Sequence, residues 1–235
     1  MRLNILIEAN EVKLENEKMQ FVSLIKKALS IVDKEYFKSL YYNEDDTRKK
    51  LCKDFTWSVY YKSYDFVNQT IKLKDDMLLK ISSMSEKFIT TLCRGLRKKK
   101  YYNYKNYKMH VKSFELEEEK DIYKEECIFK TLMPFSLSNY DLNIDSQEFQ
   151  DRLNYVMNDL LERIRGFGLK KKLVFTSIKI KSVLVKENIH YENQYRQSWK
   201  GLFKLKGDSN DLQDIYVLGI GNRRSQGFGL LELVR

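Results

Sequence analysis

Histidine, cysteine and proline are scarce in this 235-residue sequence, and each scarcity narrows what the protein can do. The two histidines are too few for a His-rich metal site, so we expect no metal and no other cofactor. The three cysteines contain no Cys-x-x-Cys pair, and an odd number of separated thiols is typical of a reducing cytoplasm. No apolar run reaches the roughly 20 residues of a membrane span, and no secretory signal is visible. We therefore expect a cytoplasmic protein without a membrane anchor.

Acidic residues are the minority charge. There are 33 of them against 43 basic residues, which gives a formal net charge of +10. This excess favours a polyanionic partner, either nucleic acid or an acidic membrane surface. The 16 tyrosines, 13 phenylalanines and 2 tryptophans favour nucleic acid, because rings stack on bases, although the same rings also build cores.

The hydrophobic periodicity predicts the same order of elements twice. In the first half the predicted elements are strand 2–9, helix 21–32, a polar loop 41–53, strands 55–61 and 71–82, a helix from 86 capped by Ser85, and strand 107–112. In the second half they are strand 127–133, helix 147–164, strands 173–185 and 195–206, helix 210–218 and strand 228–234. Each half reads β-α-β-β-α-β, the ferredoxin-like order that many RNA-recognition modules share. We therefore predict an α+β protein of two tandem ferredoxin-like domains, 1–122 and 123–235.

Positive charge is concentrated in the second half, where residues 163–206 hold twelve basic residues and two acidic ones. Alternation on strand 195–206 predicts one apolar face and one face of cations. The candidates for RNA binding on this strand and the preceding one are Arg196, Lys200, Lys204, Lys179 and Lys181. Such a face suits a phosphate backbone, and the alternative is an ordinary solvated face.

Two Gly-x-Gly pairs, Gly219–Gly221 and Gly227–Gly229, enclose a polar loop with two arginines. Glycine allows a close backbone approach, so we expect amides at Gly221 and Gly227 to bind phosphate beside Arg223 and Arg224. A dinucleotide-binding motif is not expected, because that motif follows a strand and opens a helix, whereas this loop joins a helix to a strand. A plain turn before the last strand is the remaining alternative.

This glycine loop and three further segments resemble the CRISPR repeat-processing endoribonucleases of the RAMP superfamily. The further segments are Phe55-Thr56-Trp57-Ser58, Thr131-Leu132-Met133-Pro134 and Gln197-Ser198-Trp199. The resemblance implies two ferredoxin-like domains that bind a precursor CRISPR RNA repeat and cut it without metal. In that reaction the 2′-OH attacks the adjacent phosphorus and leaves a 2′,3′-cyclic phosphate. The resemblance also implies subunits of a CRISPR effector complex as further partners. We expect the protein to be a monomer or a homodimer.

The resemblance also nominates the catalytic residues. Matching the family pattern gives Lys26, Tyr41 and Lys53 as catalytic candidates, whereas the histidine that many members use is missing from residues 1–109. Free tyrosine and lysine have pKa values near 10 and 10.4, so neither is poised for proton transfer at neutral pH by itself. Two alternatives follow: an RNA-binding subunit that does not cut, and a generic nucleic-acid-binding module. Tyr41 has an alternative role as a packing residue of the apolar turn 36–42.

The two histidines of the chain are weak catalytic candidates. His110 alternates with lysines on the polar face of a predicted strand, and His190 lies in a predicted loop or hairpin. We interpret His110 as a surface residue, and nothing in the spacing of His190 argues for catalysis.

Overall fold

The computed structural model describes residues 1–13, 17–45, 47, 52–137, 141–189 and 192–234, with the backbone alone for 187–189 and 192–194. The chain divides into two compact units. The first unit contains residues 1–53 and 59–117, and the second contains 54–58 and 118–235. The division therefore falls between Glu117 and Glu118, a few residues before the domain boundary expected at 122, and a short segment of the first half groups with the second unit.

The first unit carries a ferredoxin-like core with additions. Its elements are β1 (Arg2–Glu8), β2 (Glu11–Lys13), α1 (Glu17–Val32), α2 (Lys34–Tyr41), β3 (Phe55–Tyr61), β4 (Tyr64–Val67), β5 (Thr70–Leu73), β6 (Met77–Ser83), α3 (Glu86–Lys98), β7 (Tyr101–Tyr104) and β8 (Tyr107–Glu117). The main sheet has the order β3-β6-β1-β8-β7, and the small sheet has the order β2-β5-β4. Without β7, the main sheet has the strand order of a β-α-β-β-α-β unit.

Close packing of α1 against α3 organises the first unit. Phe21, Ile25 and Leu29 of α1 are buried at helical spacing. A Cβ atom on Gly95 of α3 would collide with the carbonyl oxygen of Ala28, so glycine is needed where the two helices touch. The Ser85 side chain accepts a hydrogen bond of 3.1 Å from the Phe88 amide and begins α3 where the sequence predicts.

The second unit repeats the order, and a short 3-10 helix (Arg224–Gln226) lies before its last strand. Its elements are β9 (Glu126–Thr131), α4 (Gln147–Arg165), β10 (Val174–Ile189), β11 (Glu192–Lys206), α5 (Ser209–Leu218) and β12 (Leu231–Leu233), and the sheet order is β10-β11-β9-β12. Strand β10 pairs with β11 along nearly the whole length of β11, whereas β9 pairs with β11 only from Leu202 to Lys206. Most of the β10–β11 hairpin therefore extends beyond the part of the sheet that contains β9.

A buried ion cluster joins the two helices of the second unit. Arg165 at the end of α4 donates hydrogen bonds to Asp211, Asp214 and the carbonyl of Gly168. Asp211 is fully buried and also accepts from the Lys170 amide at 2.7 Å. These bonds satisfy a carboxylate that burial alone would destabilise.

The predicted fold class is confirmed, and four details differ. The predicted strand 71–82 is two strands, β5 and β6, which lie in different sheets. The short strands β2, β4 and β7 had no prediction, and helix α2 was considered only as an apolar helical turn at 36–42. The last strand is shorter than predicted, since β12 covers only Leu231–Leu233. Within the described residues, no helix is long and apolar enough to cross a membrane.

Candidate functional site

Helix α2 brings the three catalytic candidates together in the first unit. Asp33 begins this helix by accepting a 2.8 Å hydrogen bond from the Tyr36 amide, and Tyr41 is its last residue. The Nζ atoms of Lys26 and Lys53 lie 4.5 and 4.9 Å from the centre of the Tyr41 ring. All three side chains are half-buried. Residues from α1, α2 and the segment before β3 therefore meet at one point.

The Tyr41 ring has a packing contact as well. The centre of the Tyr41 ring lies 5.2 Å from the centre of the Phe37 ring. Tyr41 therefore packs within the turn 36–42 and also contacts the two lysines. A lysine over a tyrosine face contributes about 0.5–1 kcal/mol at an exposed site, which is enough to hold each ammonium near the hydroxyl-bearing ring. Two cations beside one phenol are chemically suited to an anion that forms during a reaction.

His110 is engaged elsewhere in the first unit. Its Nδ1 lies 3.1 Å from Oε2 of Glu8, and its ring stacks on Tyr101 with centres 4.4 Å apart. His110 is therefore partly covered by neighbours on the sheet, where the sequence predicted an ordinary surface residue. His190 lies outside the described residues.

The cations of the β10–β11 hairpin share one face. Lys181 lies directly opposite Lys200, Lys179 opposite Leu202, and Lys204 opposite Thr176 in the register. Lys204 contacts Glu126 at 3.3 Å, whereas within the described part of the chain no ion pair involves Lys179, Lys181 or Lys200. Like charges directly opposite each other destabilise a sheet, so this face accumulates positive charge at a cost in stability.

Arg196 corrects the prediction for this face. It occupies the same side of β11 as Lys200, but its exposed fraction is only 6% and the neighbouring Ser198 is fully buried. A residue so covered does not present its charge to a phosphate chain. Alternation identifies the side of the strand, but it does not reveal what covers that side.

The glycine loop is a tightly packed part of the second unit. Gly221 and Gly227 both have φ near +80°, in the left-handed region. A Cβ atom would lie 2.6 Å from the Ser136 carbonyl oxygen at Gly221 and 2.6 Å from the Trp57 ring at Gly227. Both glycines are needed because neighbouring atoms leave no room for a side chain.

The loop amides are largely used inside the protein, which corrects the expectation of a phosphate cradle. The Gly221 amide donates to the sulfur of Met157 at 3.3 Å, and the Gly227 amide donates to the Arg224 carbonyl at 3.0 Å. The amides of Ile220, Asn222 and Gly229 also donate to backbone carbonyls. Gly221 and Gly227 therefore shape the loop and do not offer bare amides to a ligand.

The two loop arginines differ in position. Arg224 is only 3% exposed, and its Nη1 donates a 2.9 Å hydrogen bond to the Leu218 carbonyl at the end of α5. Its predicted role in phosphate binding is therefore replaced by a structural one. Arg223 is partly exposed and has φ of +57°, an uncommon value for a residue with a side chain. Such strain is often retained where it positions a functional side chain, so Arg223 remains the loop candidate for RNA.

The segments that carried the family resemblance support this loop. Thr56 donates to the Phe228 carbonyl at 2.9 Å, and the Trp57 indole donates to the Ser225 carbonyl at 3.0 Å. Pro134 supplies the carbonyl that accepts from the Gly229 amide. Gln197 exchanges two hydrogen bonds with the backbone of Leu142. The motif residues therefore act as internal supports of the second unit.

No group of three or more His, Cys, Asp or Glu side chains suited to a metal ion occurs among the residues with described coordinates. The only described histidine, His110, contacts one carboxylate, Glu8. The catalytic candidates are two lysines and a tyrosine, which are poor ligands for a hard cation.

Comparisons with known proteins agree with this architecture. The family model for CRISPR associated protein Cas6, C-terminal, matches residues 116–233. No curated protein sequence matches the chain. A Cas6-related protein from Pyrococcus furiosus superposes with a TM-score of 0.84 at 21% identity, over 100% of this chain and 98% of that one.

Two further structures share the fold. A RAMP protein described as binding different RNA substrates has a TM-score of 0.83 at 20% identity, with 100% of both chains covered. A Cas6 product complex has a TM-score of 0.68 at 11% identity, with 99% of both chains covered. The resemblance drawn from the glycine loop is confirmed. Because the family model covers half of its sequence, this chain belongs to the Cas6 family of CRISPR repeat-processing proteins.

Proposed function

We propose that this chain is a metal-independent endoribonuclease that cuts precursor CRISPR RNA once within each repeat. The observation that carries the proposal is the convergence of Lys26 and Lys53 on Tyr41, with both Nζ atoms within 5 Å of its ring centre. The family resemblance assigns these three residues to catalysis, and they come from three separate segments of the first unit. Their meeting supports a shared chemical task.

The reaction we propose is internal transesterification. The ribose 2′-OH attacks the adjacent phosphorus, the bond to the 5′-oxygen breaks, and the products carry a 2′,3′-cyclic phosphate and a 5′-OH. The Tyr41 oxygen would orient the 2′-OH and accept its proton while the phenolic proton passes to water, and the lysine that acts as the acid would later regain its proton from water. One lysine ammonium would stabilise the charge of the phosphorane, and the other would protonate the departing 5′-oxygen.

The repeat would be held by the cationic face of the β10–β11 hairpin. Lys179, Lys181 and Lys200 have no ion-pair partner within the described residues, and Arg223 extends from the partly exposed glycine loop. Binding of phosphates by these side chains would release counterions and make affinity fall steeply with salt. A fold relative described as a Cas6 product complex is in keeping with this arrangement. We also propose that the protein acts in the cytoplasm, because its three cysteines are far apart in the sequence and form no Cys-x-x-Cys pair.

Cleavage of the cognate repeat RNA in EDTA tests the enzyme proposal. Wild-type protein should give one cut, and a repeat with 2′-deoxyribose at the scissile position should bind equally but remain whole. Lys26→Gln, Tyr41→Phe and Lys53→Gln should each slow the cut while RNA binding is largely kept. Lys34→Gln is the matched control, since Lys34 is an exposed lysine on α2. Equal rates for all four variants would refute the assignment of the cluster.

A second candidate function is an RNA-binding subunit that does not cut. It is favoured by the absence of histidine from residues 1–109 and by the engagement of His110 with Glu8 and Tyr101. This function predicts salt-dependent repeat binding without product at any pH from 6 to 10. Equal affinity for unrelated RNAs, or filament formation on RNA, would instead indicate a generic RNA-binding subunit of an effector complex.

A further inference from the structure

The region from the end of α3 through β8 is strongly basic. Residues 94–112 contain eight lysines and arginines, four tyrosines and no aspartate or glutamate. The proposed function uses none of them. Lys112 contacts Asp76 and Glu8, whereas Lys99 has no ion pair within the described residues. Basic residues interleaved with aromatic ones are typical of surfaces that bind nucleic acid.

A cleft of about 350 Å³ lies between this region and α1. Its floor is apolar and is formed by Leu24, Tyr102 and Met109, all of which are buried. Its rim is polar and is formed by Ser23, Lys27, Lys99 and Asn103. The exposed lining of the cleft is mainly polar, and its volume is at the lower end of the roughly 300–1,000 Å³ that is usual for a small-ligand site.

The cleft is suited to an anion. Lys27 and Lys99 approach it from α1 and from the residue after α3, and no carboxylate lines it. Within the described coordinates, neither lysine has an acidic partner to neutralise it, and bringing two ammonium groups together without one is unfavourable. Burial raises the pKa of Tyr102 to about 12, so the phenol stays neutral and adds no negative charge to the floor. Ser23 and Asn103 add hydrogen-bonding groups that can contact a sugar or a base edge.

The cleft lies beside the catalytic candidates on the same helix. Lys26 points towards Tyr41 and Lys27 lines the cleft. Successive residues on a helix are about 100° apart, so α1 carries the two groups on adjacent flanks. A ligand that passes over α1 meets both.

We propose that this cleft holds one nucleotide of the bound RNA strand, next to the nucleotide whose phosphate meets Lys26, Tyr41 and Lys53. The phosphate lies between Lys27 and Lys99, and the base lies over the apolar floor within reach of Asn103. The cleft is therefore a subsite that selects the sequence flanking the cut. This inference rests on the proposed function, since it needs an RNA strand bound at the cluster.

The test compares the salt dependence of repeat RNA binding in two double variants. Lys27→Gln with Lys99→Gln removes both cations that neutralise one phosphate, so the slope of log K against log salt should become less negative by about 0.7. Lys62→Gln with Lys72→Gln is the matched control, with the same charge change on exposed lysines of the first unit, and its slope should stay at the wild-type value. Thermal midpoints of both variants identify any loss of folding.

Two further measurements identify the ligand. Asn103→Ala should reduce discrimination among repeats that differ at one position beside the cut, with the salt slope unchanged. The nucleotide 5′-UMP serves as a probe for a free ligand. If 5′-UMP binds through Lys27 and Lys99 while the RNA slope of their double variant stays at the wild-type value, the assignment to an RNA strand is wrong.

A parallel variant separates this inference from the proposed function. Lys181→Gln with Lys200→Gln should flatten the salt slope if the β10–β11 face binds the repeat. If that variant flattens the slope and Lys27→Gln with Lys99→Gln does not, the cleft subsite is refuted and the proposed function stands. If wild-type protein neither binds nor cuts the repeat, the proposed function fails and the subsite fails with it.

Discussion

Gly227 lies against the indole ring of Trp57, and alanine at this position tests how the glycine loop is supported. A Cβ atom would lie 2.6, 2.7 and 2.9 Å from Cη2, Cζ2 and Cζ3 of Trp57. Trp57 is 1% exposed, and its indole holds the Ser225 carbonyl at 3.0 Å. The ring must therefore move, and its movement strains the hydrogen bond that fixes the loop.

The cost has two parts that a second glycine separates. Gly227 has φ of +80° and Gly166 has φ of +88°, but a Cβ atom at Gly166 would meet nothing within 4 Å. Gly166→Ala should therefore cost only the left-handed strain, about 1 kcal/mol after the lower entropy of the unfolded chain is included. Gly227→Ala adds overpacking of about 1–3 kcal/mol and the weakened indole hydrogen bond of about 1 kcal/mol. We expect a total of about 3–5 kcal/mol.

Thermal unfolding of the two variants gives the comparison. For a chain of this size, 1 kcal/mol corresponds to about 2–4 °C in Tm. Gly166→Ala should therefore lower Tm by a few degrees, and Gly227→Ala should lower it several times as much. Equal shifts for the two variants would show that Trp57 does not constrain the loop, and the account of its glycines would be wrong.

Two further predictions concern arginines of the second unit. Arg224→Ala removes a buried side chain that donates to the Leu218 carbonyl, so it should lower the free energy of unfolding in urea by about 2–3 kcal/mol. Arg223→Ala should leave the urea midpoint unchanged and make the salt slope of RNA binding less negative by about 0.7. The opposite pattern would contradict the assignment of Arg223 to RNA. Arg165→Ala leaves Asp211 and Asp214 without their partner and should cost about 3–5 kcal/mol. Arg163→Ala on the same helix breaks an exposed pair with Asp159 and should cost less than about 0.5 kcal/mol, so similar losses would refute the difference in burial.

Long periodic segments were predictable from sequence, and short or covered ones were not. The apolar stripe of α4 and its Ser146 cap give that helix almost to the residue, and the alternation of β11 gives its end at Lys206 but misses its first three residues. The short helix α2 was considered only as an apolar turn at 36–42, because it is eight residues long and a polar stretch follows it. The predicted strand 71–82 fails because Lys74, Asp75 and Asp76 break it, and pairing with β2 and β4 places β5 in its own sheet.

The candidate site was predictable only through resemblance. Periodicity does not connect Lys26, Tyr41 and Lys53, which are far apart in sequence and meet because α2 turns back at Asp33. Charge patterning identified the face of Lys181 and Lys200, but it counted Arg196 and Arg224 as surface cations. The sequence does not distinguish an arginine that donates to a buried carbonyl from one that binds phosphate, because the difference lies in burial, which only the structure shows.

Lys181 and Lys200 lie opposite each other, and replacing one of them should change protein stability and RNA binding in opposite directions. Like charges directly opposite on two strands destabilise them by about 0.2–1 kcal/mol, and an RNA phosphate between them would remove that repulsion. Lys181→Gln should therefore raise the unfolding free energy of the protein alone, by a few tenths of a kcal/mol at low salt, and weaken repeat binding in the same buffer. Lys186→Gln is the control, since Lys186 lies opposite Tyr195 and its loss relieves no repulsion. If Lys181→Gln lowers stability, or leaves RNA binding unchanged, the face is an ordinary solvated surface and the repeat is held elsewhere. A gain in stability together with a loss of binding is the result expected of a surface that binds an anion. The two lysines repel each other in the free protein, and a bound RNA phosphate removes that repulsion.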